Sequence, residues 1–251
     1  MKRILSSVFG LVLALTAMAD GWPANYNGVM LQGFFWDSFS ESKWTALEAQ
    51  TGDFAGYFDL VWVPQSGKCL ENYNTMGYTP YYYFNQNSSF GTEAELRSMI
   101  GAFKAAGIGT VADVVVNHHN TTGWFAFPAE TYGGNTYQLL STDICANDDG
   151  GQTATQAASE GVQLGSHNDD GEDWGGMRDL DHRSANVQKI VKAYEKYLLD
   201  DLGYSGFRYD MVKGFAGEHV GNYNAAAGVK FSVGEYWDGN AHSVRSWIDA
   251  T

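Results

Sequence analysis

Basic residues are scarce. The 251 residues carry 15 Lys and Arg against 29 Asp and Glu, a formal net charge of −14. No Lys or Arg occurs from Ala105 through Met177. Nucleic acid and anionic membrane both need a basic face, so the composition argues against either as a partner. It suits a neutral substrate or a bound cation. Cysteine is nearly absent too. Cys69 and Cys145 lie far apart and lack metal-site spacing, and whether they pair is left open. No glycine-rich phosphate fingerprint follows the first strand-like run, which counts against a dinucleotide-type doubly wound sheet. The twelve-residue EF-hand pattern is missing as well.

Long apolar runs are confined to the N-terminus. Met1-Lys2-Arg3, an apolar run to about Leu15 and Ala17-Met18-Ala19 read as a secretory signal peptide over 1–19. That run is too short for a comfortable membrane span, and no later segment is apolar enough to form one. The expectation is an exported chain starting near Asp20, secreted or periplasmic. Without Lys2 and Arg3, 13 basic and 29 acidic residues leave −16. Aromatic residues make up 15%, a hint of flat surfaces against which sugar rings could stack, although aromatics are more often core.

Strand and helix patterns alternate along the rest. Val29–Trp36 reads as a buried strand, Lys43 to about Gln50 as a helix, and Phe58–Pro64 as a second strand stopped by proline. Thr92 with Glu95 forms a capping-box pattern before a helix through Leu96, Ile100 and Phe103. Thr110–Val116 reads as a third strand, apolar on both faces as in helix-covered parallel sheets. A polar stretch rich in Gly, Asn and Asp follows, from His118 to about His182. Ala185–Leu202 reads as an amphipathic helix, then Gly206–Asp210 and Phe231–Trp237 as two more strands. A closed eight-fold barrel uses about 30 residues per unit, and two of the intervals fit that figure. The expected fold is therefore an incomplete (β/α)8 TIM barrel, with about five of eight strands and a small irregular domain inserted after strand 3. The expected boundaries are 20–117 for strands 1–3, 118–184 for the insertion (domain B), and 185–251 for strands 4–5. The chain then looks cut before strand 6, and could be an aggregation-prone truncated product.

Two carboxylates stand out. Alternation puts Arg208 and Asp210 on one strand face, with Phe207 and Tyr209 on the other. Arg208 would hold Asp210 ionised. Glu235 ends the next strand 25 residues later. Neighbouring parallel strands lie about 4.8 Å apart, and barrels of this kind place their chemistry at the strand C-termini. A carboxyl pair about 5 Å apart suits a retaining glycosidase, with one nucleophile and one acid that later becomes the base. Glu235, facing a negative neighbour, would keep its proton. Asp113 would point inward to support Arg208. Asn117, at a strand end, could cap a turn or ligate a hard cation. Asp148, Asp149, Asp169, Asp170, Glu172, Asp173, Asp179 and Asp181 make either a solvated acidic loop or a calcium site.

Asp113–His118, Gly206–Gly214 and Val233–Trp237 resemble three ordered signature regions of the alpha-amylase family of glycoside hydrolases (glycoside hydrolase family 13). Gly77-Tyr78-x-Pro80 and Asp179-Leu180-Asp181-His182 extend the resemblance, which is nearest the plant-like and bacterial alpha-amylases. It implies hydrolysis of internal α-1,4-glucosidic bonds in starch-like glucans. Asp210 would be the nucleophile, Glu235 the acid/base, and Arg208 the residue orienting the nucleophile. Tyr78 would stack under the sugar at the cleavage point and His118 hydrogen-bond it, with Lys213 and Trp237 on the leaving-group side. Calcium (Ca2+) would join Asn117, Asp173, Asp148 and the backbone carbonyl of Gly214. The implied partner is an α-glucan polysaccharide, and the complete protein would be a monomer. The family's fourth signature, an aspartate with a neighbouring histidine after a later strand, has no counterpart in these 251 residues. The chain by itself is therefore expected to turn over little. A related α-glucosidase or transglycosylase would share these residues, and a non-catalytic starch-binding protein is the reading from another class.

Overall fold

The computed structural model describes residues 26–71 and 75–251; the expected signal peptide lies outside them. In chain order the elements are β1 (Met30–Gln32), α1 (Trp44–Ala49), α2 (Thr51–Phe54), β2 (Leu60–Trp62), α3 (Glu93–Ala105) and β3 (Gly109–Val114). There follow β4 (His118–His119), β5 (Ala129–Tyr132), β6 (Asn135–Gln138), α4 (Gln152–Glu160) and β7 (Arg178–Asp179). The last are α5 (Ala185–Lys196), β8 (Gly206–Tyr209), α6 (Gly217–Ala227), β9 (Ser232–Gly234) and α7 (Ala241–Ala250).

Five strands form one sheet in the order β1-β2-β3-β8-β9, each parallel to its neighbour. Parallel neighbours taken in sequence order, with helices between them, are the incomplete barrel expected above. Among the described residues the sheet is open at β1 and β9. Strand alternation divides the side chains into two layers. Val61, Ala112, Val114, Phe207 and Tyr209 belong to the large core shared with the helices. Leu60, Val111 and Phe231 form a second cluster on the concave side, with Met30, Trp62 and Val233 packed against it. Above that cluster the concave side turns polar, because Asp113 and Arg208 are register partners on β3 and β8.

The helices follow their patterns. Thr92 caps α3 through its side chain, and the Glu95 carboxylate reaches back to the Thr92 N–H at 2.7 Å. Leu96, Met99, Ile100 and Phe103 are buried as the spacing required. Thr92→Ala is expected to lower the unfolding free energy by about 1 kcal/mol. Urea unfolding measures this, and an unchanged midpoint would show that the cap contributes nothing. Ser184 caps α5, which then widens into a π-type turn over Tyr197–Leu202 before Gly203 takes positive φ.

Two expectations need correction, and one question left open above is answered. The first strand stops at Gln32 rather than Trp36; Phe35 and Trp36 are 61% and 69% exposed. Their apolar side chains imitated a strand end but belong to the loop above the sheet. The last strand keeps only Ser232–Gly234 of Phe231–Trp237, and Trp237 is 88% exposed. Cys69 and Cys145 do not pair: both are buried free thiols.

Residues 118–184 contain the hairpin β5–β6, helix α4 and a two-residue antiparallel ladder, in which β4 pairs with β7. That ladder places His118 opposite Asp179 and His119 opposite Arg178, and so returns the acidic segment to the end of β3. Among the described residues no helix is long and apolar enough to cross a membrane.

Candidate active site and cation site

The centre of the site is one guanidinium. Arg208 rises from β8 on the concave side, and its Nη1 lies 2.8 Å from Asp113 Oδ1 and 2.6 Å from Asp210 Oδ1. Its Nη2 lies 2.9 Å from Glu235 Oε2. The plane of the group sits over the Trp62 ring, 4.6 Å from the centroid. Asp113 is held from its other side by Trp62 Nε1 at 3.1 Å and the Tyr78 hydroxyl at 2.9 Å. The ladder continues one residue beyond the named strands. Asp210 N–H donates to the Val114 carbonyl and Glu235 N–H to the Tyr209 carbonyl, both at 2.9 Å. Asp210 and Glu235 therefore leave adjacent strands at the same level and on the same side. Met211 takes φ 45°, and its N–H donates to Glu235 Oε2 at 3.1 Å.

Three carboxylates around one cation leave an excess of negative charge. Burial pushes Asp210 up to about 8; Asp113 and Glu235 add to the rise, and Arg208 opposes it. Asp113 is likewise raised by burial against the pull of Arg208. Arg208 pulls Asp210 toward its ionised form, while burial and the neighbouring acids pull the other way. The guanidinium is shared three ways, and water is excluded around the buried aspartates. Glu235 differs from expectation in its surroundings. It does not face Asp210 alone, because the same guanidinium contacts it, and its side chain is 40% exposed at the open sheet edge.

The other sequence-predicted residues surround this centre. The Tyr78 ring is stacked on Trp36, with centroids 6.1 Å apart and planes 7° from parallel. Lys213 Nζ is paired with Glu172 at 2.7 Å and Asp238 at 3.4 Å. Lys213, Gly214, Glu235 and Trp237 line one cleft, together with Asp173 and Trp174 from the acidic segment. His118 is placed differently from the expectation of a ring reaching a bound sugar. It is buried, its Nε2 lies 3.0 Å from the Tyr78 carbonyl oxygen, and the Trp174 ring covers it at 4.3 Å. Burial pushes its imidazole down to about 4, so it is neutral near pH 7.

Beside the cleft, Asp148, Asp173 and Asp179 each bring a carboxylate oxygen within 4.8 Å of the other two. Asn117 joins them: its Nδ2 lies 3.3 Å from Asp179 Oδ1. Its Oδ1 is turned to Gly214, where a Cβ would stand 1.8 Å from it, so only glycine fits. Burial, with Asp169 and Asp148 adding, raises Asp179 to about 9. Asp148 is also raised by burial, although Arg178 lies 2.8 Å away. Hard oxygen donors that repel one another are what a calcium-sized cation neutralises, so the residues fit such an ion. Asn117, Asp148, Asp173 and Gly214, named from sequence, do come together. Asp179, one of the eight acidic candidates, was not singled out for the set. Its pairing with His118, next to Asn117, depends on an antiparallel return that has no local sequence signal.

No family model matches the chain. Among curated proteins it is 29% identical over 245 residues to the chloroplastic alpha-amylase 3 of Arabidopsis thaliana, covering 89% of this chain and 25% of that one. It is 28% identical to the probable alpha-amylase 2 of the same plant, covering 89% and 54%. A glucan 1,4-alpha-maltotetraohydrolase of Roseateles saccharophilus is 28% identical, covering 94% and 43%. The chain thus spans between about a quarter and about half the length of these relatives. Among solved structures, an alpha-amylase from Malbranchea cinnamomea superposes with a TM-score of 0.60 at 22% identity, over 89% of this chain and 48% of that one. A mutant alpha-amylase I from Eisenia fetida, solved with maltohexaose, gives 0.61 at 18%, over 88% and 47%. The fold is that of an incomplete parallel barrel, and the proteins this chain resembles are alpha-amylases and a maltotetraohydrolase. The chain is a homologue of the alpha-amylases.

Proposed function

We propose that this chain carries the nucleophile and the acid/base of a retaining α-glucan hydrolase. The observation that supports this best is the meeting of Asp210 and Glu235 on adjacent nitrogens of one guanidinium at the ends of adjacent strands. In this reading Asp210, once ionised, attacks the anomeric carbon while Glu235 gives its proton to the departing glycosidic oxygen. Water then gives a proton to Glu235 and its oxygen to the sugar, which frees Asp210. Arg208 orients Asp210, and Tyr78 offers its ring to the sugar at the cleavage point. Lys213 and Trp237 line the leaving-group side. Ca2+ would be held by Asn117, Asp148, Asp173, Asp179 and Gly214. Its contribution is charge neutralisation that ties residues 118–184, as an inserted domain, to the barrel parts 20–117 and 185–251. The substrate class is starch-like polysaccharide cut at internal α-1,4 bonds, the whole protein is a monomer, and residues 1–19 direct export.

The test compares Glu235→Gln with the unmodified protein on dye-linked starch, at high protein concentration because turnover is expected to be slow. Loss of the acid/base should lower product release by about 10²–10⁴-fold while maltohexaose binding persists. Binding without any hydrolysis in either protein would favour a glycan-binding role. Equal hydrolysis in both would remove Glu235 from the chemistry.

A further inference from the structure

Trp174 has no role in the reading above, yet it is held more firmly than an ordinary loop residue. Its N–H donates to Asp179 Oδ2 at 2.9 Å. Its carbonyl accepts from the Gly176 N–H, also at 2.9 Å. The indole lies against Gly176, where a Cβ would meet three ring atoms at 2.5–2.7 Å, so a glycine is needed to seat it. The ring covers His118 at a centroid distance of 4.3 Å, tilted by 41°. The residue remains half-buried, and it lines the cleft that also holds Lys213, Glu235 and Trp237.

These contacts do two things. They fix the indole before any ligand arrives, so little ordering entropy remains to be lost on binding. They also place a large apolar surface in the cleft that holds the proposed acid/base, where Lys213, Glu235 and Trp237 also stand. Aromatic walls with a few convergent polar groups are the usual make-up of a small-ligand site. We propose that Trp174 is a specificity-determining contact for the glucan, a preset wall on which one pyranose ring rests at the cleft holding Glu235. This rests on the α-glucan reading of the site. The acidic segment then does more than gather carboxylates: through Asp179 it sets the position of a sugar-binding surface.

The test is maltohexaose binding by the full 251-residue chain, followed by tryptophan emission and by calorimetry. The unmodified chain is expected to bind with a change in emission. In Trp174→Ala the affinity should fall at least about tenfold and most of the emission change should vanish. Trp174→Phe should recover part of the affinity. Gly176→Ala, which keeps the tryptophan but pushes its indole off the seat, should weaken binding in the same direction. Unchanged affinity and emission response in Trp174→Ala would overturn this inference alone. No binding by the unmodified chain would overturn both it and the reading it rests on. Should circular dichroism show Trp174→Ala to be misfolded, Trp174→Phe and Gly176→Ala decide. Weakened binding in a folded Gly176→Ala variant supports the assignment, and unchanged affinity in both variants refutes it.

Discussion

Arg208→Met is expected to lower the unfolding free energy by about 3–5 kcal/mol at pH 7, whereas Asp210→Asn is expected to raise it by about 2 kcal/mol. The opposite signs follow from one geometry. Arg208 faces Asp113, Asp210 and Glu235. Without it, two buried aspartates and one half-exposed glutamate lose their cation together, and methionine offers no donor in return. Without the Asp210 charge the remaining carboxylates share the guanidinium two ways.

The pH dependence separates this account from a general packing effect. Asp210 is raised from 3.8 to about 8 in the folded chain. A carboxyl group raised by folding contributes most below its unfolded value, and that contribution is lost as pH rises through the folded value. The advantage of Asp210→Asn over the unmodified chain should therefore be small near pH 4, grow through pH 6 and level off above about pH 8. The full shift of about four units would give more than 2 kcal/mol at 1.36 kcal/mol per unit. Only part of it is expected, because Asp113 and Asp210 share Arg208 and titrate together. Urea midpoints at pH 4, 6 and 8 provide the measurement. An advantage that is the same at all three pH values would rule out the titration argument.

Much of this centre is legible in the sequence because it depends on the two-residue period of strands. Arg208 and Asp210 share a face, Asp113 lies on the adjacent strand, and register brings them together. The five strands and their order follow from alternation of strands and helices, for the same local reason. What the sequence does not reveal is burial. The raised state of Asp210 depends on how little water reaches it and on how many acids share Arg208, and both are tertiary facts. Trp62 supports both Asp113 and Arg208, yet in sequence it is one more aromatic in an apolar strand. Phe35 and Trp36 mislead in the other direction, since hydrophobicity alone cannot separate a buried strand end from an exposed aromatic surface. The acidic segment is the hardest part. Nine acids between 148 and 181 give no period, and Asp179 is distinguished from Asp181 only by the β4–β7 ladder. Asp181 turns instead to His167 at 2.7 Å.

That distinction is testable with calcium. At a concentration about a thousand times its dissociation constant, Ca2+ should stabilise the chain by about 4 kcal/mol, and EDTA should reverse the effect. For a chain of this size that corresponds to a rise in Tm of about 10 °C. Asp179→Asn should act in two opposite ways. In EDTA it should raise Tm slightly, because it removes one of three carboxylates whose oxygens lie within 4.8 Å of one another. In excess Ca2+ it should melt well below the unmodified chain, because a charged ligand is gone and one oxygen can no longer accept from both Asn117 Nδ2 and the Trp174 backbone N–H. Asp181→Asn serves as the control: its carboxylate is engaged by His167 and Arg183, so the Ca2+-dependent gain should stay near that of the unmodified chain. Equal calcium responses in Asp179→Asn and the unmodified chain would move the cation away from Asp179. A full response in neither the unmodified chain nor the control would leave the acid cluster as a solvated loop. The crossing of the Asp179→Asn and unmodified melting curves between the two conditions is specific to a cation held at the return of the acidic segment. Loss of packing alone would lower Tm in both.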